Sequence, residues 1–261
     1  MNINKQKNQA GFTLVELSIV LVIIGLIVSG VLAGQALIAQ AKVRGQLRQI
    51  EEIKTSIGAF QTKYSFLPGD LPNPTRFFST IAATTTPDGD GFIEGVVQTA
   101  GTEANVAFQS LFLAGLIQDT APNAANVIPA KVRKSSGLLL NSGSTTTANY
   151  LIFGTTPTYV AASNSYTGVD ALTGTSGLSG SESYALDSKI DDAKPHTGTF
   201  FVTSATTASG VVSTPMSATV ANCAVVGTAP APTDYYVDEA NTTANASAII
   251  PGCIIATKIG F

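Results

Sequence analysis

The chain has 261 residues, of which only 12% are charged and none is Trp. A formal net charge of −3 without a concentrated basic patch argues against a nucleic-acid-binding protein. So few charges are also atypical of an intracellular enzyme with a charged, solvated surface. The length allows one large domain with an appendage, or two small domains.

The N-terminus joins a short polar segment to a long apolar one. Residues 1–10 are polar and carry only Lys5 and Lys7 as charges, whereas residues 12–33 are almost entirely apolar apart from Glu16. About 20 such residues form a helix that is long enough to cross the hydrocarbon core of a bilayer. Because the lysines precede this run and none follows it immediately, we expect a single span with a cytoplasmic N-terminus.

An ordinary secretory signal peptide is the alternative interpretation of this segment. It would have a shorter apolar core followed by a cleavage site between small residues, which Ala33, Gly34 and Ala36 could supply. The hexapeptide GFTLVE at residues 11–16 argues against it. A cut after Gly11 leaves the apolar run attached as the start of the mature protein.

Glu16 is the one charged residue of the apolar run. A carboxylate near the edge of a membrane-spanning helix is costly unless it finds a partner. A cut after Gly11 would create a positive amine on Phe12, which Glu16 could reach along its own helix or from a neighbouring copy. Pairing between copies would fix their axial register. The alternative is a Glu that extends to water at the membrane surface.

The hexapeptide and the apolar run resemble the cleavage and methylation site of type IV prepilins and type II secretion pseudopilins. The resemblance implies that a prepilin peptidase cuts between Gly11 and Phe12 and methylates the new amine on Phe12. It also implies that Glu16 is needed for assembly. Many type IV pilins carry a Pro about two-thirds along this run, where the present chain has glycines. Local melting of the helix around a Pro is therefore not implied.

The resemblance implies a structural subunit of a type IV pilus or a type II secretion pseudopilus-like filament, without enzyme activity. A surface pilus, a secretion pseudopilus and a DNA-uptake fibre all fit it. The implied partners are other copies, related pilin subunits, the prepilin peptidase and the inner-membrane assembly machinery, with no nucleic acid for the head. The subunit would sit in the inner membrane, with its head in the periplasm or on the cell surface. The alternative is a membrane-anchored extracytoplasmic binding or enzymatic domain.

The helix is expected to continue beyond the membrane, because apolar residues then recur at steps of three and four, as on one side of an α-helix. These residues are Val43, Leu47, Ile50, Ile53, Ile57, Phe60 and Tyr64. Pro68 and Gly69 are predicted to end the helix. The predicted organisation is a cleaved leader (1–11), a transmembrane and filament-core helix (12–41), the amphipathic half of that helix (42–66) and an extracytoplasmic globular head (67–261).

The head is predicted to have an α+β fold, with the long helix packed on a mainly antiparallel sheet that has long loops. Residues 104–118 are predicted to form a second helix. The predicted strands are Gly137–Leu140, Tyr150–Phe153, Thr158–Ala162, Thr199–Thr203, Val211–Ser213, Val220–Val226 and Ile249–Lys258. Segments rich in Gly, Ser and Thr separate them.

An acidic segment in the head has the residues that a hard cation prefers. Asp88, Asp90 and Glu94 offer carboxylates, the carbonyl of Phe92 offers a fourth oxygen, and glycines allow tight turns. The pattern resembles the centre of an EF-hand loop and predicts a calcium site, although it lacks the full set of acids. More distant carboxylates could complete the shell, those of Asp191 and Asp192. A solvated acidic turn is the alternative.

Cys223 and Cys253 are the only cysteines, and in an oxidising compartment we expect them to form a disulfide. The pilin resemblance supports this bond, because many type IV pilins have a disulfide in a C-terminal loop. Two free buried thiols are the alternative. His196 is the only His, so a zinc-type site is disfavoured. The sequence has no Gly-x-Ser-x-Gly elbow and no phosphate-binding loop of the Gly-Lys-Ser/Thr type, and we expect no catalytic site.

Overall fold

The computed structural model divides the chain into two compact units, Met1–Lys42 and Val43–Phe261. The fold is α+β, as predicted, with a long N-terminal helix and a mainly antiparallel sheet. The structure describes residues 13–81, 87–95, 101–118, 127–133, 136–142, 148–160, 165–170, 178–195, 197–203, 223–225, 235–236 and 253–260.

Helix α1 spans Leu14–Tyr64, a total of 51 residues. The sequence predicted that Pro68 and Gly69 end this helix, and α1 ends at Tyr64, four residues before Pro68. Ser65 has a φ of 64°, a left-handed backbone conformation that ends the regular helix, and its N–H donates to the Gln61 carbonyl. Among the described residues, α1 is the one helix that is long and apolar enough to cross a membrane.

Within the second unit, one side of α1 is buried in the core. Val43, Ile50, Ile53, Ile57 and Phe60 are buried, while the other two residues of the predicted stripe are half-buried. The apolar stripe is therefore confirmed.

Two glutamines on the buried side of α1 bind the backbone of the head. The Gln49 side chain donates to the Pro129 carbonyl at 3.1 Å and accepts from the Lys131 N–H at 3.1 Å. Gln46 accepts from the Val132 N–H at 3.1 Å. Hydrogen bonds of this kind remove the cost of burying amides between a helix and a loop.

The described strands are β1 Ile128–Pro129, β2 Gly137–Asn141, β3 Asn149–Val160, β4 Ser165–Asp170, β5 Phe200–Thr203, β6 Ala224–Val225, β7 Tyr235–Tyr236 and β8 Ile254–Ile259. Five of them lie side by side in the order β1-β2-β3-β8-β5, and every pairing is antiparallel. β4 pairs with the second half of β3, and β6 pairs with β7 separately. The central strand β3 has β2 on one side and β8 on the other.

The remaining described helices are a short 3₁₀ turn at Pro74–Arg76, α2 at Glu103–Leu113 and α3 at Gly180–Ile190. Helix α2 was predicted but ends earlier than expected. The strands predicted on either side of Thr155 form the single strand β3. The sequence interpretation missed β1, β4, β7 and α3, and the strand predicted at Val211–Ser213 lies outside the described residues.

Candidate functional site

The described chain begins with a capping arrangement at the start of α1. Thr13 directly precedes the helix, and its N–H and hydroxyl donate to Glu16 Oε2 at 2.8 and 2.9 Å. The Glu16 N–H in turn donates to the Thr13 hydroxyl oxygen at 3.3 Å. This reciprocal pattern is a capping box, which satisfies N–H groups that an α-helix leaves unpaired at its start. Glu16 thus has a local role that the sequence interpretation missed, although its Thr-x-x-Glu spacing could have revealed it.

The predicted partner of Glu16, the amine of a processed Phe12, lies outside the described residues, as does Gly11. The pairing between copies therefore stays a prediction. The structure shows the Glu16 side chain exposed at the beginning of α1, with one carboxylate oxygen used by Thr13. The second oxygen, Oε1, makes no described hydrogen bond and is available to an external cation.

The first 25 residues of α1 expose their apolar side chains on every face. Of 19 large hydrophobic side chains that are exposed in the described residues, 16 lie between Leu14 and Ile38. Their exposed fractions run from 50% at Ile24 to 89% at Leu14. A soluble protein rarely exposes a contiguous apolar surface of this extent, so this part of α1 needs lipid or other protein chains around it.

Comparison with protein families gives a match at this end of the chain. Residues 6–32 match the family described as the prokaryotic N-terminal methylation motif. The chain carries the type IV pilin and pseudopilin signature. The matched residues include the GFTLVE hexapeptide and most of the exposed apolar run. A comparison with curated proteins gave no match, and neither did a comparison with solved structures.

Within the second unit, the acidic loop at residues 87–95 is held by two buried carboxylates. Asp70 accepts hydrogen bonds from the N–H groups of Gly89 and Gly91, at 2.7 and 2.9 Å. Glu103 accepts from the N–H groups of Asp88 and Glu94, at 3.3 and 2.9 Å. Asp70 and Glu103 are only 1% and 8% exposed.

Further contacts fix the same loop to the helix and the sheet. The Asn149 side chain, at the start of β3, accepts from the Ile93 N–H and donates to the Gly91 carbonyl, both at 2.9 Å. The Ala104 N–H, in the first turn of α2, donates to the Glu94 carbonyl at 2.9 Å. The loop is therefore built into the head through its backbone.

Burial raises the pKa of Asp70 to about 6 and the pKa of Glu103 to about 7. The N–H groups of the loop favour the charged forms and oppose this effect, but the loss of hydration is larger. Repulsion from the Asp88 carboxylate raises the pKa of both groups further. A bound cation would reverse the balance, because it favours the ionised forms.

The structure brings together a different set of acids from the one predicted for calcium. Asp70, Asp88 and Asp90 each place a carboxylate oxygen within 4.8 Å of the others, whereas Glu94 is not in this group. Asp191 and Asp192 group with Asp187 instead.

Three carboxylates suit a hard cation, but calcium takes about six to eight oxygens, so carbonyls or water would have to supply the rest. The buried Asp70 was not predicted, because it lies in the connector after α1, far from the loop in sequence.

The predicted bond between Cys223 and Cys253 is present, with both residues fully buried. Cys253 directly precedes β8 and exchanges two backbone hydrogen bonds of 2.9 Å with Leu178. The disulfide therefore attaches the segment around β6 to the sheet through the start of β8. His196 lies outside the described residues.

Proposed function

We propose that the chain is a structural subunit of a type IV pilus or a type II secretion pseudopilus-like filament. The methylation motif supports a type IV pilin-like or pseudopilin precursor. The finer proposal is that prepilin peptidase cuts between Gly11 and Phe12 and methylates Phe12. The mature chain then assembles through residues 12–41.

The observation that carries the proposal is the exposed apolar half of α1 together with its single carboxylate. A plain membrane anchor needs apolar side chains on all faces and could use Glu16 for the cap at its helix start, but it has no use for the carboxylate oxygen that the cap leaves over. In a bundle of sister helices the same apolar surface packs against protein, and the carboxylate can neutralise the amine of a neighbouring Phe12. Removing one partner of a buried ion pair is strongly destabilising. The pair would therefore disfavour any axial register in which the amine and the carboxylate do not meet.

The capping box adds a step to this account. One oxygen of Glu16 bonds Thr13 within the same helix, and the other remains for an amine. A carboxylate can accept several hydrogen bonds, so both roles are compatible. We propose that Thr13 orients Glu16 and that the neighbouring copy supplies the charge.

For the head, we propose a structural role without enzyme activity. In the proposed location it lies outside the inner membrane, where the Cys223–Cys253 disulfide is stable. The alternative is that α1 anchors an extracytoplasmic binding or enzymatic domain that never enters a filament.

Shearing of cells distinguishes the two functions. We expect an immunoblot to find the mature chain in the sheared filament fraction, and to find a longer, unprocessed chain in the membrane when prepilin peptidase is deleted. A chain that stays in the membrane fraction of wild-type cells, with the same mass in both strains, would favour the anchored domain.

A further inference from the structure

Two arginines lie at the beginning of the second unit, on the part of α1 that follows the apolar run. Arg44 and Arg48 are exposed, and among the described residues neither makes an ion pair. We call them the arginine pair. Lys131 is a third exposed cation beside them, because a Cβ atom at Gly45 would lie 3.9 Å from the Lys131 Cβ. Positive charge is therefore concentrated at this place.

The arginine pair occupies the side of α1 that the head leaves uncovered. Each residue of an α-helix adds about 100° of rotation, so Arg44 and Arg48 point within about 40° of each other. The buried Ile50 and Ile53 point to the opposite side. Because Cα–Cβ bonds tilt toward the N-terminus of a helix, both arginine side chains leave the backbone in the direction of the apolar run.

The spacing between Glu16 and Arg44 matches the thickness of a bilayer. Arg44 follows Glu16 by 28 positions, and Lys42 is the only charged residue between them. A helix of this length rises about 42 Å, while a bilayer with both headgroup regions is about 40–45 Å thick. A membrane-spanning α1 that has Glu16 in one headgroup region therefore has Arg44 in the other.

The sign of the charge changes one turn further along α1. Glu51 and Glu52 are exposed on the same side of the helix as the arginine pair, at a greater distance from the apolar run. An anionic membrane surface would attract the nearer arginines and repel the more distant acids. Both effects favour an upright helix whose head stays off the surface, whereas a neutral surface would exert neither.

We propose that the arginine pair binds the phosphate groups of anionic phospholipids in the leaflet on the head side of the membrane. A guanidinium group suits this ligand, because its planar fork can donate two hydrogen bonds to phosphate oxygens. Cationic residues next to a membrane span attract anionic lipids in general. The proposal requires α1 to span a membrane, but it does not require a filament. It gives the chain a fixed depth and a lipid preference before assembly.

Lipid-specific quenching tests this binding in a bilayer. The chain has no Trp, so Ala41→Trp, at an exposed position near the arginine pair, gives a single fluorophore. The full chain is placed in phosphatidylcholine vesicles with phosphatidylglycerol as the minor lipid, and one of the two lipids carries brominated acyl chains that quench Trp. We expect phosphatidylglycerol to be preferred at the fluorophore about fivefold or more, and the preference to shrink in molar salt.

Neutral substitutions assign the preference to the arginine pair, each made in the Ala41→Trp chain. Arg44→Gln with Arg48→Gln should bring the ratio of the two lipids close to one. Arg44→Lys with Arg48→Lys should keep most of the preference, because the charge remains. Lys63→Gln with Arg76→Gln is the matched control, since it removes two exposed cations that lie farther from the apolar run. We expect the control to keep the full preference.

Three results would overturn the proposal. They are equal quenching by the two lipids in the Ala41→Trp chain, an undiminished preference after Arg44→Gln with Arg48→Gln, and an equal loss in the control, which would assign the preference to net charge. Equal melting temperatures of the variants show that folded chains are compared. A chain that prefers the anionic lipid but is absent from sheared filaments would support this inference and contradict the filament function.

Discussion

The two halves of helix α1 differ in where their apolar side chains go. From Leu14 to Ile38 these side chains are exposed on all faces, whereas from Val43 to Phe60 they form one buried stripe. The second half thus finds its apolar partner inside the same chain, and the first half does not. An exposed apolar surface of this size indicates a partner outside the chain. The head can therefore be stable as a single copy, while the first half depends on lipid or on contacts with other chains.

The largest expected effect on assembly concerns Glu16, the one charged residue in the first half. Glu16→Gln keeps the capping geometry, because Gln serves at this position of a capping box, but it removes the negative charge. We expect insertion and processing to continue and the sheared-filament fraction to fall at least tenfold, because leaving the neighbouring amine without its buried partner costs about 3–5 kcal/mol per contact.

Thr13→Ala is the matched control, because it removes the partner of Glu16 within the helix and keeps the charge. We expect it to weaken the helix start by about 1 kcal/mol while filaments still form. Equal loss of filaments in both variants would show that the cap, rather than the charge, governs assembly.

The next prediction compares how much the two halves of α1 contribute to the stability of the head. Phe60 is fully buried, and the centroid of its ring lies 4.5 Å from the ring centroid of Tyr64 and 6.2 Å from that of Phe78. We expect Phe60→Ala to lower the free energy of unfolding of the head by about 3–5 kcal/mol. Leu21, which is 64% exposed, is the counterpart in the first half. Leu21→Ala should leave head stability unchanged, as measured by denaturant unfolding of the full chain in detergent.

Removal of the disulfide is expected to lower the free energy of unfolding by a slightly smaller amount. Changing both Cys223 and Cys253 to Ser frees a segment whose ends are 30 residues apart. We expect a loss of about 3–4 kcal/mol in denaturant unfolding, from the greater chain entropy of the unfolded state. Reduction of the unmodified chain should give the same loss. A double variant as stable as the oxidised chain would show that β6 and β8 are held together by other contacts.

The smallest effect concerns the acidic loop and pH. The pKa of Asp70 rises from 3.8 to about 6 on folding, and that of Glu103 from 4.5 to about 7. The folded state therefore binds more protons than the unfolded state between about pH 4 and pH 7, so stability falls as pH rises through this window. We expect a loss of about 1–2 kcal/mol, reduced by solvent screening, in melts at a series of pH values. Asp70→Asn with Glu103→Gln should flatten the dependence.

A second experiment tests whether the acidic loop binds calcium. If Asp70, Asp88 and Asp90 hold the ion, millimolar calcium at pH 7.5 should raise the melting temperature of the chain. Asp88→Asn with Asp90→Asn should abolish this rise and leave most of the pH dependence, since Asp70 and Glu103 remain. No calcium-dependent shift in the unmodified chain would reduce the loop to a solvated acidic turn.

Local sequence signals were sufficient for α1 and for several strands of the head. The second half of α1 has a periodic apolar stripe, and β2 and β8 are short runs of mostly buried residues. Helix α3 was missed because it has few apolar residues, with Leu186 fully buried. Its start is marked by the capping box of Ser179 and Glu182, a local signal that the sequence does contain. Strand β4 lies in a polar segment whose pairing with β3 depends on the rest of the sheet.

The acidic loop shows why a site is harder to predict than an element. Asp88 and Asp90 were recognised from their spacing, but Asp70 lies 18 positions before Asp88 and outside any motif. Gly69 allows the connector that carries Asp70 to pack closely against the start of α2, because a Cβ atom there would collide with the Glu103 carbonyl oxygen. Such contacts arise from tertiary packing and leave no periodic trace in the sequence.

The decisive measurement for the filament function is the mass of the N-terminal peptide from filament-derived protein. We expect a peptide that begins at Phe12 and carries one added methyl group on its amine. That result requires both the cut after Gly11 and retention of the apolar half of α1. A mature chain that begins near residue 35 would contradict the account, because the apolar half would then be a removed signal peptide and could not form the core of a filament.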